Sequence, residues 1–190
     1  MPQQLTVTDK VLKHTFLFLI PRSVTPNMVT WFRFVTIPFV AYLFIQESYL
    51  LGLVLFVISA FSDAVDGSLA RTRDRVTDWG KMYDPVADKL LIGVAAFILV
   101  SGFLSMYLAA TIIGIEFFLV LGALYRKRFQ RIPIEAEFSG KVKMVLQSLG
   151  IAAILVSATF HISAFLAIAA YLLYLSIVFA AISLVVYRSI

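Results

Sequence analysis

Six long apolar runs, parted by short polar breaks, make up most of this chain. They cover about residues 27–46, 49–70, 82–104, 106–126, 141–160 and 163–187. Each is near the roughly 20 residues that a helix needs to cross the hydrocarbon core of a bilayer. The pattern predicts an all-α polytopic membrane protein with six transmembrane helices. The break between the fifth and sixth runs is so short that those two must form a tight helical hairpin. Ahead of the first run lies "TVTDKVLKHTFLFLIPRSVTPN". There Val7, Val11, Leu12, Phe16 and Leu19 fall near helical spacing, with Asp9, Lys10, Lys13 and His14 between them. This predicts an amphipathic helix lying in the membrane surface. Pro21 and Pro26 then break the chain, and Thr25 or Asn27 can cap the first span. The reading is a single domain over 1–190, with an interfacial segment at 1–24 and a six-helix bundle at 25–190.

Composition agrees with the pattern. The chain is 61% hydrophobic and 14% charged, against about 45–50% and about 25% in soluble domains. With no cysteine, disulfides and thiol chemistry are excluded. "TFLFLI" is too short for the apolar core of a signal peptide, and no small-residue cleavage site follows. The net charge of +5 is unevenly spread. All 16 Lys and Arg lie before or near the start of the first span, around the second connection, around the fourth, or at the C-terminus. The connections near Glu47, Ser101 and His161 carry none. The positive-inside rule then places both termini and the charged stretch in the cytoplasm. Trp31 and Trp79 fall near that interface, where an indole belongs. His14 and His161 have no neighbours that suggest a metal site. No internal repeat of the transporter kind is present, and no nucleic-acid partner is expected.

The chemistry sits in "SDAVDGSLARTRDRVTDWGKMYDPVADKL", residues 62–90. Asp63 and Asp66 are three apart, and Asp84 and Asp88 four apart, so each pair shares a helix face. A short connection lets the two helix ends meet and the four carboxylates converge. A charge at the centre of a span costs about 2.5–3.5 kcal/mol, less near the edge, and mutual repulsion adds to this. One or two divalent cations remove the problem, and hard oxygen ligands suit Mg²⁺ or Mn²⁺. Gly67, Gly80 and Ala70 let a ligand or helix approach closely. Arg71 offers a fork of donors to a phosphate. Together these describe a diphosphate-binding site. Asp74 and Asp78 fall outside the paired faces, with Asp78 placed to cap the third helix.

The stretch reads D-x2-D-G-x2-A-R-x8-G-x3-D-x3-D in Asp63, Asp66, Gly67, Ala70, Arg71, Gly80, Asp84 and Asp88. It resembles the full signature of the CDP-alcohol phosphotransferase (CDP-alcohol phosphatidyltransferase) family. The likeness extends to "PNMVTWFR" and "SGKVKMVLQ" and so covers most of the chain. The resemblance implies a two-metal site held by Asp63, Asp66, Asp84 and Asp88, with Asp88 also taking the acceptor's proton. It implies CDP-lipid contacts at Asn27, Thr30, Gly67, Ala70, Arg71, Thr77 and Gly80. The implied reaction is attack of an alcohol on the β-phosphorus of CDP-diacylglycerol, with release of CMP, by a homodimer among membrane lipids. Gly93 and Ala95 are small enough to permit close helix contact.

"VTDWGKMYDPVADKLL" resembles bacterial phosphatidylglycerophosphate synthases, whose acceptor is glycerol 3-phosphate. The Asp-Pro-x-Ala-Asp-Lys run is shared with cardiolipin synthases of the family, whose acceptor is phosphatidylglycerol. A phosphorylated acceptor needs cations beyond the metals, and Lys141, Lys143 and Arg126 are the candidates. Arg126, Lys127, Arg128 and Arg131 equally suit a basic anchor at anionic headgroups. One departure stands out. Relatives of both kinds carry Ser-Arg-Glu or Ser-Arg-Asp in the fourth span, and here the run is Gly114-Ile115-Glu116. Glu116 is an acid well inside an apolar span, where such groups are functional or neutralised against a neighbouring helix. The competing class, a divalent-cation transporter, would use the carboxylates but leave Gly67, Ala70 and Arg71 without a role.

Overall fold

In the computed structural model, residues 24–72, 78–129 and 138–189 are described. Among them the chain is entirely helical. The predicted surface helix before Thr25 lies outside the described residues.

Helix α1 (Pro26–Ile45) starts where the sequence places it. Thr25 is the N-cap, its hydroxyl accepting from the Met28 amide at 3.4 Å, and Pro26 occupies the first turn, where its missing N–H costs nothing. Thr30, Arg33, Ile37, Val40 and Phe44 are buried along one face of α1, while Trp31, Phe39 and Tyr42 on the others are exposed. Helix α2 (Tyr49–Thr72) returns antiparallel. Helix α3 (Asp78–Ala95) continues through a π-helical segment (Ala96–Val100) into a last turn (Ser101–Phe103). Helices α4 (Met106–Phe129), α5 (Phe138–Phe160) and α6 (Ser163–Ser189) complete the order.

The third run is therefore not one regular helix. At its far end the Ser101 hydroxyl bonds back to the Phe97 carbonyl, competing with the backbone ladder as a serine inside a helix can. The wider π turn falls on Ala96, Leu99 and Val100, all buried.

Among the described residues, four helices are long and apolar enough to cross a membrane: Asn27–Ile45, Val86–Phe103, Ser139–Phe160 and Ser163–Ser183. Tyr49–Ser62 and Met106–Gly122 are shorter apolar stretches. With large apolar side chains such as Phe117, Phe118, Tyr171 and Val178 facing outward, this is a multi-pass membrane protein, its exterior solvated by lipid rather than water.

α3 is the central element, packed on α1, α4 and α5, while α2 packs on α1 and α5. α5 and α6 form the expected hairpin and the most extensive helix pair. Two glycines make the helix contacts close. A Cβ on Gly150 would stand 2.8 Å from Leu173, and one on Gly52 would stand 2.7 Å from the Phe44 ring. Gly150→Val is expected to wedge α5 from α6 and destabilise the protein by about 1–3 kcal/mol, seen as a lower midpoint of thermal unfolding in detergent. Gly93 and Ala95 differ in their surroundings. A Cβ on Gly93 meets nothing within 4 Å, so within one chain its smallness serves no helix contact, whereas Ala95 is fully buried. The two short turns, at Glu47 and His161, each place a non-glycine residue at φ 56°, the left-handed position that ends many helices.

Candidate active site

The carboxylate end of the bundle is built by α1, α2 and α3. Asp84 and Asp88 lie one turn apart on α3. Asp84 is half-buried and Asp88 is buried. The Thr30 hydroxyl donates to Asp84 Oδ1. That contact joins the first-span motif to the second half of the acidic signature, 54 residues away in the chain. Thr30 is buried, and Asn27 is half-buried one turn before it. The first span thus meets the Asp84 carboxylate.

The backbone of α2 carries Asp63, Asp66, Gly67, Ala70 and Arg71 on one continuous helix, and α3 carries Gly80. The side chains of these residues lie outside the description, as do Thr77 and the side chain of Arg126. Among the described residues no group of three or more His, Cys, Asp or Glu side chains converges. Asp84 and Asp88 nevertheless have the chemistry a hard divalent cation needs: carboxylate oxygens, adjacent turns, and a setting largely removed from water.

Arg33 is a functional candidate that sequence reading passed over. It counts there among the orienting cations near the start of the first span. In the fold it is 0% exposed, one turn deeper than Thr30 on the same face of α1. Its Nε donates to Ser62 Oγ at 3.4 Å. Ser62 in turn donates to the Ser59 carbonyl at 2.7 Å, and Thr36 and Ser59 share a hydroxyl contact of 2.8 Å. A polar seam therefore runs between α1 and α2, ending at Ser62, immediately before Asp63. Buried charge survives only where it is paired and hydrogen-bonded. The signal was available: an arginine seven residues into a span lies too deep to serve as a flanking charge.

The lysines at the start of α5 separate. Lys141 is exposed, whereas Lys143 is only 3% exposed, because residues two apart point to different sides of a helix. The Lys143 ammonium stands 2.5 Å from Glu116 Oε1, and Glu116 is itself 8% exposed. The intramembrane acid therefore has an ionic partner on another helix. Lys89, next to Asp88, is half-buried within electrostatic range of Glu116, Lys143 and Asp88. Gln147, one turn beyond Lys143, is buried too. Lys89 and Gln147 were not singled out from the sequence, where Lys89 reads only as one more cation of the charged stretch.

Such an arrangement offers carboxylate oxygens to a hard cation and ammonium groups to an anion. A family model for CDP-alcohol phosphatidyltransferase matches residues 23–183. Relatives named CDP-diacylglycerol–glycerol-3-phosphate 3-phosphatidyltransferase include one from Rickettsia felis, 34% identical over 64% of this chain and 69% of that protein. One of the same name from Escherichia coli (strain K12) is 32% identical over 67% of this chain and 74% of that protein. One from Rickettsia typhi is 43% identical over 39% of this chain, a match spanning 43% of that protein. A Drosophila melanogaster protein named "Probable cardiolipin synthase (CMP-forming)" is 34% identical over 60% of this chain and 36% of its own length.

Proposed function

The chain belongs to the CDP-alcohol phosphatidyltransferase family, and from that premise we propose that it transfers the phosphatidyl group of CDP-diacylglycerol to glycerol 3-phosphate, releasing CMP. The observation that carries this reading is the Thr30–Asp84 contact. It joins the "PNMVTWFR" segment to the carboxylate signature in one site. Relatives named for this reaction support the choice of acceptor.

In this reading Asp63, Asp66, Asp84 and Asp88 hold divalent cations, Mg²⁺ or Mn²⁺ and two in number. Such ions, when bound, neutralise the diphosphate and ease departure of CMP. Thr30 fixes the orientation of Asp84. Asp88 accepts the proton of the acceptor hydroxyl as its oxygen attacks the β-phosphorus. Gly67 and Ala70 leave room for the nucleotide, and Asn27, Thr77 and Gly80 contact the CDP-lipid. Arg71 pairs with phosphate oxygens through its planar fork. Lys143 receives the phosphate of glycerol 3-phosphate, with Lys141 and Arg126 as further acceptor contacts. All six helices cross the bilayer, with the site and both termini on the cytoplasmic side, and the protein works as a homodimer.

A second reading keeps the chemistry and changes the acceptor to phosphatidylglycerol. The Drosophila melanogaster relative named as a probable cardiolipin synthase supports it. The deciding experiment supplies purified protein with labelled CDP-diacylglycerol and, in turn, glycerol 3-phosphate, phosphatidylglycerol, serine and inositol phosphate. CMP release with glycerol 3-phosphate alone is the expected result. No CMP release with any acceptor would point back to a cation pathway. In the same assay, stripping metal with excess EDTA is expected to abolish turnover, and added Mg²⁺ or Mn²⁺ to restore it. Full turnover after stripping would rule out the metal site.

A further inference from the structure

Glu116, Lys143 and Lys89 form a charged cluster inside the bundle, contributed by three different helices. α4 and α5 pack chiefly through α3 and its π segment rather than on each other, so the Glu116–Lys143 contact of 2.5 Å reaches across the gap between them. Beyond this ionic contact, neither carboxylate oxygen of Glu116 makes a hydrogen bond to another described group.

We propose that Glu116 is a positioning residue whose carboxylate holds the Lys143 ammonium, with Lys89 alongside, as a two-lysine cradle for the acceptor's phosphate. The proposal rests on the reading of Lys143 as an acceptor contact.

The physical grounds are these. A buried ion pair seldom repays its desolvation, and apolar side chains of similar size would hold two helices equally well. Its presence within electrostatic range of Lys89, the residue after Asp88, therefore calls for a role other than stability. A lysine ammonium carries three N–H donors. Ion pairing with one carboxylate therefore leaves donors for a phosphate. Two lysines at close quarters repel one another, and the single acid between them offsets that repulsion while leaving the cluster net positive. A long, flexible lysine is also a poorly fixed point charge, and pairing it with one carboxylate holds the ammonium in place. Ile115 has no donor to give, so in this chain the cradle depends on Lys89 and Lys143.

The test compares Michaelis constants for the two substrates in Glu116→Gln, Glu116→Asp, Lys143→Gln and the double variant Glu116→Gln/Lys143→Gln, using glycerol 3-phosphate and CDP-diacylglycerol. Glu116→Gln keeps the side-chain size and is expected to raise the glycerol 3-phosphate KM by about 10–100-fold, the usual cost of losing a group that orients another. The CDP-diacylglycerol KM should stay within about twofold of wild type, since only the acceptor contact is disturbed. Glu116→Asp keeps the charge and is expected to fall between Gln and wild type. In the Lys143→Gln background, Glu116→Gln should add little, because the two act through one contact. Equal weakening of both substrates, or a lower unfolding midpoint with unchanged KM values, would show that the pair merely ties α4 to α5 and would overturn the proposal. A lower acceptor KM in Glu116→Gln would overturn it too, showing that the acid competes with the phosphate. Should Lys143→Gln leave the acceptor KM unchanged, the reading of the acceptor site itself fails, a result distinct from failure of Glu116→Gln alone.

Discussion

Asp84→Asn and Asp66→Asn are each expected to lower CMP release by at least about 100-fold while the protein still inserts and folds. Changing a group that only orients a metal ligand costs about 10–100-fold, so loss of the ligand charge itself costs at least as much. Asparagine preserves the volume and leaves an oxygen for the Thr30 hydroxyl to reach at position 84, so the contact between α1 and α3 can persist. What disappears is the anionic charge that a divalent cation requires. The measurement is CMP release by membrane-extracted protein, read beside yield and elution profile in detergent. Wild-type rates in either variant would mean that the carboxylates serve some other purpose. Normal yield with lost activity would place the defect in the chemistry rather than in the fold.

Lys143→Gln carries the next largest expected effect. Lys143 is buried and paired with Glu116, whereas Lys141, two residues earlier, is exposed. Loss of one charge-assisted contact is worth about 1.5–3 kcal/mol, or about 10–150-fold. The acceptor KM should rise by that factor and the CDP-diacylglycerol KM should not. A contact made equally in the ground and transition states appears in KM, and one that tightens only in the transition state appears in kcat. Lys141→Gln is expected to have the smaller effect of the two, because an exposed ammonium is screened by solvent and salt. If the order of the two variants is reversed, the acceptor approaches from the outer face of α5 instead. If neither variant responds, an acceptor without a free phosphate monoester is favoured, and the phosphatidylglycerol reading gains.

The architecture was legible in the sequence because a bilayer imposes a coarse rule. A helix must be about 20 residues long and apolar to lie in it, and composition along the chain reveals that directly. The six helices, the Thr25 cap and the hairpin at His161 all follow from such local patterns. The acidic signature was legible for a related reason: Asp84 and Asp88 carry their geometry in their spacing, four residues on one helix. What spacing cannot convey is which residues of different helices meet. Arg33 and Lys89 read as flanking cations by position, yet the first is buried against α2 and the second lies half-buried within electrostatic range of a buried acid. Lys141 and Lys143 read alike in sequence, and only the rotation of α5 against its neighbours separates them. Glu116 and Lys143 stand 27 residues apart on helices that scarcely pack on each other directly. Their meeting depends on where α3 holds both, a property of the assembled bundle. Local hydrophobicity and helical period therefore determined what each segment is, and tertiary packing alone decided which charges face one another.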